Sequence, residues 1–295
     1  MKKTIVVVTY SRPDLLLLCK ESIEAAKGNE KWKKILIWQK GFAETEATIS
    51  EISDFFDLII VTKPKNSALE SINFNRLIGT ETAFHFLDSE IVLGIEEDTI
   101  ISKDSLAFIE SVHKQYRENP SYRGINLGSQ EPFEDQLAHT FSLIRYGIIG
   151  QAGVLTKNTW MKFNIKDLLK HLDAEGWDSR IEQTLKTGFM VTSNCSRSLD
   201  RGWNGTHAPS DENDPYFTKM EKSWVGDFIL LKENYELLQL KHNWRGDSIE
   251  YKKWQNLFFR IRANKSTYSW LNNAPFFGII KKRIYGIPRA KLDKF

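Results

Sequence analysis

Short apolar runs and longer stretches of mixed polar and apolar residues follow one another along the first part of this chain. Each apolar run has the length and β-branched character of a buried strand, and each intervening stretch has the spacing of a helix. The apolar runs are 4–9, 35–38, 58–61 and 91–95, and the helix-like stretches are 15–26, 44–55, 73–86 and 103–117. A further strand is expected at 123–127. Strands that alternate with helices are typical of a parallel sheet with right-handed crossovers. The pattern therefore predicts an α/β fold.

The apolar run 91–95 stops abruptly at three successive acids, Glu96, Glu97 and Asp98. In an extended chain Glu96 and Asp98 point to one side and Glu97 to the other. Three adjacent carboxylates repel one another and lose hydration unless a cation lies among them. Open α/β sheets bind ligands outside the carboxyl ends of their strands, and Mg²⁺ or Mn²⁺ is commonly held there by one or two acids and by substrate phosphates. The triplet thus predicts a divalent-metal site, with a solvated acidic turn as the alternative.

The second half of the chain is less regular. Apolar stretches between 143 and 155 are broken by glycines, which often mark backbone that passes close to a ligand. The segment 195–214 is rich in Ser, Gly, Asn, Asp and Pro, which predicts a long loop of the kind that usually carries function. The segment 159–172 is predicted to be helical.

Composition narrows the class of protein. The 295 residues are 41% hydrophobic, which is enough for one large domain or a main domain with an appendage. Lysine and arginine total 41 against 38 acids, and this balance argues against nucleic acid as a partner. The two cysteines lie far apart and indicate no disulfide scaffold. Because no apolar stretch reaches the ~20 residues that span a bilayer, and because a strand begins almost at residue 1, we expect a cytoplasmic protein.

The composition changes after residue 219. Tryptophan and phenylalanine recur through 220–295, and basic residues cluster near the end, from Lys281 to Lys294. Such a segment can lie on an anionic membrane surface as a peripheral contact. It can equally pack its aromatic side chains on the main domain and leave the lysines solvated. Both interpretations are open at this point.

Several segments share their order with a known family. An arginine follows strand one, an acid triplet follows a buried strand, and a Trp-Asp pair precedes a Ser-Arg-Ser segment and a loop with glycines and a histidine. These segments are Arg12, Glu96-Glu97-Asp98, Trp177-Asp178, Ser196-Arg197-Ser198 and the loop with Gly202, Gly205 and His207. Their order resembles that of the GT-A glycosyltransferases, and within them the α-1,3-mannosyl-glycoprotein and protein O-mannose N-acetylglucosaminyltransferases. The resemblance covers about residues 4 to 220.

The resemblance implies roles for the acids. Asp98 matches the last acid of the family's Glu-Asp-Asp triplet, which meets the metal bound to UDP, so Asp98 is the expected ligand of Mn²⁺ or Mg²⁺. Glu96 and Glu97 would face the ribose and the sugar of the donor. Asp178 matches the acid of the family's Trp-Asp-Asp segment, which acts as the catalytic base.

The resemblance also implies contacts to the nucleotide. Arg12 matches an arginine that contacts the nucleotide after strand one, and Gln39 matches as well. Arg197 and His207 lie in segments that correspond to those closing over the diphosphate. The chain departs from the family at Lys40, where the family has the aspartate that reads uracil, and this weakens the inference of UDP in particular. Its glycine loop is also one residue shorter.

The resulting expectation is a GT-A-like α/β fold with a mostly parallel sheet flanked by helices. Residues 1–219 would form the catalytic domain, with a nucleotide-sugar half at about 1–105 and an acceptor half at about 106–219. Residues 220–295 would form the aromatic and basic extension.

The expected function is metal-dependent, inverting transfer of a sugar, with GlcNAc as a candidate, from a UDP-sugar to a hydroxyl of a glycan or another acceptor. A nucleotidyltransferase is an alternative, but it would usually carry a glycine-rich phosphate loop after strand one, and residues 10–14 contain no glycine. A catalytically inactive nucleotide-sugar-binding protein is another alternative, which Lys40 favours.

Overall fold

The computed structural model describes residues 1–129, 133–134, 138–144, 152–170, 172, 188–203, 214–226 and 235–240. The strands are β1 (Lys3–Thr9), β2 (Lys33–Gln39), β3 (Leu58–Thr62), β4 (Ile91–Glu96), β5 (Thr99–Ile101), β6 (Tyr122–Asn126), β7 (Thr140–Ile144), β8 (Ala152–Thr156), β9 (Phe189–Ser193), β10 (Ser198–Asp200) and β11 (Glu236–Leu240). The helices are α1 (Pro13–Ala25), α2 (Ala43–Ile52), α3 (Ala68–Glu81), α4 (Ser105–Tyr116), α5 (Lys157–Trp160), α6 (Ile165–Leu169) and α7 (Pro215–Ser223). Short 3₁₀ turns at Asn29–Lys31 and Ser53–Phe55 and a π-helical turn at Thr82–Phe86 complete them.

The described strands form a nine-stranded sheet in the order β11-β7-β9-β6-β8-β4-β1-β2-β3 and a two-stranded sheet of β5 and β10. Strands β3, β2, β1 and β4 are parallel neighbours. Strand β8 runs antiparallel between β4 and β6, and β7 runs antiparallel to β9. The predicted fold class, α/β with a mostly parallel central sheet flanked by helices, is confirmed.

Apolar side chains cover both faces of the central strands, because the valines and isoleucines of β1, β2 and β4 point alternately to either side. Helices α1 and α4 cover one face, and α3 together with α5 and α6 covers the other. The first core includes Ile5, Val7, Leu16, Ile23, Leu36, Leu93, Phe108 and Val112. The second includes Val6, Val8, Ile35, Ile37, Leu77, Phe84, Val92 and Trp160. This double burial explains the uninterrupted apolar runs of the sequence.

Three local expectations need correction. The predicted helix at 159–172 is instead two short helices, α5 and α6, separated by a turn. The predicted loop at 195–214 begins with strand β10, because residues 198–200 pair with β5. The helix expected near 103 begins at Ser105, with Asp104 as the residue that precedes its first turn.

The domain boundary and the membrane contact stay predictions. Helix α7 spans the expected boundary between residues 219 and 220, and β11 joins the main sheet beside β7. Residues 241–295, with most of the aromatic and basic extension, lie outside the described residues. Within the described part of the chain, no helix combines the length and the apolar character needed to cross a membrane.

Candidate active site at the carboxyl edge of the sheet

The carboxyl ends of β1, β2 and β4 meet at one edge of the sheet. Thr9 of β1 stands opposite Trp38 of β2, and Val8 stands opposite Glu96 of β4. Gln39 follows at the end of β2. Parallel pairing in register therefore gathers three chain segments that are distant in sequence, and the acid triplet lies in their midst.

Glu97 holds the loop that follows β1. Its Oε2 accepts hydrogen bonds from the Thr9 hydroxyl at 2.5 Å and from the Tyr10 backbone N–H at 2.8 Å. Its Oε1 accepts from the Ser11 backbone N–H at 3.4 Å and from Arg12 Nε at 3.3 Å. Both oxygens of this buried carboxylate are thus occupied by the protein. A contact of Glu97 with ribose or sugar stays a prediction.

Arg12 joins Glu97 to Asp98. Its Nη2 lies 2.5 Å from Asp98 Oδ2, in addition to the bond from Nε to Glu97. Burial acts to lower the pKa of Arg12, but the charges of Asp98 and Glu97 outweigh it and the pKa is raised. The guanidinium is therefore firmly cationic, and its side chain is still 28% exposed at the edge. Its Nη1 is buried without a hydrogen-bond partner, and the predicted contact of Arg12 with the nucleotide stays a prediction.

Glu96 turns to the opposite side and meets Arg76 of α3, with Nη2 and Oε1 3.1 Å apart. Gly94 makes room for this arginine, since a Cβ there would lie 2.7 Å from Arg76 Nη1. Burial raises the pKa of Glu96, and the neighbouring charge of Asp98 raises it further while Arg76 opposes both. Arg76 was not predicted as a site residue, because an arginine in the middle of a helix carries no local signal.

A fourth carboxylate, that of Asp200, completes the cluster and was also missed from the sequence. Asp200 ends β10 opposite Thr99, and the Arg201 backbone N–H donates to the Asp98 carbonyl at 2.9 Å. Burial and, next, the charge of Asp98 raise the pKa of Asp200 to about 7. The Gly202 backbone N–H donates to its Oδ1 at 2.8 Å and opposes that shift.

The cluster fits a divalent cation. Among the described residues, four carboxyl groups, those of Glu96, Glu97, Asp98 and Asp200, lie with two guanidiniums, those of Arg12 and Arg76, so the acids outnumber the cations. Asp98 is 6% exposed, and its Oδ1 is buried without a hydrogen-bond partner. A buried carboxylate oxygen with no donor is a strong ligand for Mg²⁺ or Mn²⁺.

The protein alone does not enclose such a cation. Among the described residues, no group of three or more His, Cys, Asp or Glu side chains is arranged to hold a metal. Hard divalent cations are often held by one or two carboxylates, with water and substrate phosphates as the remaining ligands. The arrangement therefore suits a cation that is shared with a phosphorylated ligand.

Polar side chains also lie at the end of β2. Gln39 is buried, and its Oε1 accepts a hydrogen bond from Asn75 Nδ2 at 3.2 Å. Asn75 Oδ1 is buried without a partner. The Lys40 ammonium lies over the Trp38 ring, 5.6 Å from its centroid, so the position where the resembling family has an acid is cationic here.

Arg197 does not lie with the other predicted nucleotide contacts. It is fully buried, with Nε and Nη2 both 3.0 Å from Asp104 Oδ2. It also donates to the Ser193 hydroxyl and the Ala138 carbonyl. The side chain is thus committed inside the fold, and its predicted phosphate contact stays untested. Asp178 and His207 lie outside the described residues.

The structure is thus an α/β domain with a cluster of buried acids and arginines at the carboxyl edge of β4. No family model matches this chain, and no curated protein matches it in sequence.

Among solved structures the chain resembles S. aureus TarS. With one TarS crystal structure it shares 9% identity and a TM-score of 0.48, over 74% of this chain and 38% of that one. With TarS 1–349 the values are 10% and 0.49, over 69% and 61%. With TarS 1–349 in complex with UDP-GlcNAc they are 12% and 0.45, over 67% and 58%. The chain therefore spans less than two thirds of the length of each of these structures.

Proposed function

We propose that this chain is a metal-dependent, inverting glycosyltransferase. It would transfer a sugar, with GlcNAc as the first candidate, from a UDP-sugar to a hydroxyl of a glycan or another acceptor. The observation that carries the proposal is the uncompensated carboxylate cluster at the carboxyl edge of β4, with the partnerless buried oxygen of Asp98 within it. The order of the sequence motifs, which resembles that of the GT-A glycosyltransferases, supports a nucleotide-sugar as the donor.

Asp98 is the protein ligand that would hold Mn²⁺ or Mg²⁺ at this edge. When bound, the cation acts as a Lewis acid that neutralises the diphosphate leaving group. Arg12 supplies a second positive charge beside Asp98, and its planar fork suits a phosphate oxygen. The Glu97 carboxylate fixes Arg12 through Nε and Asp98 holds Nη2, so Nη1 is the guanidinium nitrogen that has no partner among the described residues.

Asp178 is proposed as the general base. The acceptor hydroxyl must lose its proton as it attacks the anomeric carbon, and a carboxylate on the face opposite the leaving group serves this purpose. One base and one displacement give inversion of configuration. His207 is proposed to add a hydrogen bond to the diphosphate. Both assignments rest on the resemblance of their segments.

Nucleotide binding and donor turnover test the proposal. UDP affinity is measured by calorimetry with Mn²⁺ and with EDTA, and UDP release from UDP-GlcNAc is measured with a panel of glycan acceptors. The wild type is expected to bind UDP in a Mn²⁺-dependent way, and Asp98→Asn to lose that dependence. Asp54→Asn, at an exposed position away from the site, is the control with the same change of charge. Equal UDP affinity with and without Mn²⁺ in the wild type contradicts the proposal.

The base is tested separately. Asp178→Asn should lower kcat by about 10²- to 10⁴-fold, because general-base catalysis contributes in that range. Donor affinity should stay nearly intact, because a base acts in the transition state rather than in donor binding. Full transfer activity in this variant would exclude Asp178 as the base.

A nucleotide-sugar-binding protein without catalysis is the second candidate. Lys40 favours it, because a cation over Trp38 replaces the acid that reads uracil in the resembling family. The same experiment separates the two. Mn²⁺-dependent binding without UDP release for any donor or acceptor supports the binding protein, whereas release supports the transferase.

A further inference from the structure

Asp200 lies beside Asp98 because two short strands bring their chain segments together. Strand β10 pairs antiparallel with β5, with Asp200 opposite Thr99 and Ser198 opposite Ile101. The hydrogen bond from the Arg201 backbone N–H to the Asp98 carbonyl extends this ladder by one step toward the sheet edge. The backbones that carry the two carboxylates are therefore fixed to each other, independently of any ligand.

The two carboxylates converge on one point. An ideal Cβ at Gly202 would lie 2.9 Å from Asp200 Oδ1 and would overlap Asp98 Oδ2. Glycine is thus the residue that lets both carboxylates occupy this space. Both acids are buried, with exposures of 6% for Asp98 and 7% for Asp200.

Cationic side chains do not explain the position of Asp200. Arg12 pairs with Glu97 and Asp98, and Arg76 pairs with Glu96. Among the residues that the structure describes, no lysine, arginine or histidine forms an ion pair with Asp200. Burying an ionised carboxylate next to another one is unfavourable unless a cation compensates for it.

We propose that Asp200 is a second protein ligand of the divalent cation, so that carboxylates from β10 and from the end of β4 hold it together with Asp98. The independent sign of a missing ligand is Asp98 Oδ1, which is buried without a hydrogen-bond partner while Oδ2 pairs with Arg12. The inference rests on the proposed function for the presence of the cation, and it adds a residue that the motif order does not contain.

A purely structural role for Asp200 makes a different prediction. Its Oδ1 accepts a hydrogen bond from the Gly202 backbone N–H at 2.8 Å, which caps the turn after β10. Asparagine retains a carbonyl oxygen that accepts the same bond. Asp200→Asn therefore keeps the turn and removes only the charge, so it separates a metal ligand from a turn residue.

Mn²⁺ binding is measured directly on the whole chain. Free Mn²⁺ is followed by its solution EPR signal during titration with MnCl₂, with and without UDP, and thermal unfolding is recorded in parallel with EDTA. The proteins are the wild type, Asp98→Asn, Asp200→Asn and the control Asp54→Asn. We expect the Mn²⁺ dissociation constant of Asp200→Asn to rise at least about tenfold, since even residues outside the direct ligand set commonly contribute that much.

Each outcome has one meaning. Weakened Mn²⁺ binding in both Asp98→Asn and Asp200→Asn, with an unchanged control, supports the second ligand. Weakened binding in Asp98→Asn with wild-type binding in Asp200→Asn overturns the role of Asp200 and leaves the proposed function standing. No Mn²⁺ binding by the wild type, with or without UDP, overturns both.

Gly202→Ala provides a second variant in case Asp200→Asn does not fold. Its Cβ would press against one oxygen of each carboxylate without altering any charge. We expect weakened Mn²⁺ binding here too. Wild-type Mn²⁺ affinity in a folded Gly202→Ala protein would contradict the shared site.

Discussion

Two buried groups of acids and arginines in this molecule differ in how completely they are satisfied. In the first, Arg197 donates to Asp104, Ser193 and Ala138, and its guanidinium carbon lies 4.4 Å from the centroid of the Phe108 ring. Asp104 also accepts from Ser102 at 2.7 Å. In this group, which we call the internal pair, the acid and the arginine satisfy each other.

The second group lies at the carboxyl edge of β4, and we call it the edge group. Its acidic side chains outnumber its basic ones. The pKa values of Glu96 and Asp200 are raised, by burial in the first place, and an oxygen of Asp98 has no partner. A group that only stabilises the fold gains nothing from such an excess, whereas a site that receives a cation needs it. The two groups therefore differ in how fully their polar atoms are bonded, rather than in burial or charge, and this difference supports the proposed metal site.

The largest expected effect is on the internal pair. Arg197→Met leaves the Asp104 charge buried without its partner and should lower the free energy of unfolding by about 3–5 kcal/mol. Urea unfolding measures this. Arg201→Met is the control, because Arg201 forms a 2.8 Å surface pair with Glu221 and such pairs contribute ~1 kcal/mol or less. Similar losses of unfolding free energy in the two variants would show that the internal pair contributes no more to stability than a surface ion pair.

Glu97 belongs to the edge group, but both of its carboxylate oxygens accept hydrogen bonds from the protein. Glu97→Gln replaces an acceptor oxygen by an amide that faces N–H and O–H donors, so we expect a loss of about 1.5–3 kcal/mol. Glu118→Gln, at an exposed position after the end of α4, is the matched control. The free energy of unfolding is measured with urea in the presence of EDTA. A Glu97→Gln protein as stable as the wild type would show that the hydrogen bonds of Glu97 do not stabilise the fold.

Thr9→Val tests one of the hydrogen bonds that Glu97 accepts. The Thr9 hydroxyl donates to Glu97 Oε2, and valine keeps the shape without the donor, so about 1 kcal/mol should be lost. Thr45→Val is the control, because the buried Thr45 hydroxyl has no partner. A loss of stability in Thr45→Val equal to that in Thr9→Val would show that the hydroxyl bond is not the cause.

The smallest effect on stability is expected at Asp98. In Asp98→Asn the pair with the partly exposed Arg12 is lost, but repulsion from Glu96 and Asp200 falls as well, so the metal-free protein should change by less than ~1 kcal/mol. The stabilisation that Mn²⁺ gives to the wild type should be absent, because only binding to the folded state raises its stability. Unfolding with EDTA and then with Mn²⁺ measures both. A large loss with EDTA would make Asp98 a structural acid.

The alternation of strands and helices could be predicted from the sequence because each element carries its own periodicity. The runs 4–9 and 91–95 became β1 and β4 within a residue or so of their expected bounds. Glu96 and Glu97 diverge, toward α3 and toward the loop after β1, as expected. Asp98 instead meets Arg12 beside Glu97, because β4 ends at Glu96 and the chain turns there. The acid triplet was visible because it interrupts an apolar run.

The roles of Asp200, Arg76 and Arg197 could not be predicted in the same way. Asp200 is one polar residue in a segment with the composition of a loop, and its place beside Asp98 depends on the pairing of β10 with β5. Arg197 stands in a segment that resembles a phosphate-binding one, yet its side chain is committed to Asp104.

Local spacing in the amino-acid sequence was enough to specify the α/β class, the positions of the first four strands along the chain and the acids at the end of β4. It was enough because backbone geometry repeats every two residues in a strand and every 3.6 in a helix. Long-range packing instead settles which arginines neutralise the acids, which acid is left unsatisfied and where Asp200 lies. Those properties depend on strand register and helix packing between distant segments, and a difference of one residue in register would turn each strand side chain to the other face of its sheet.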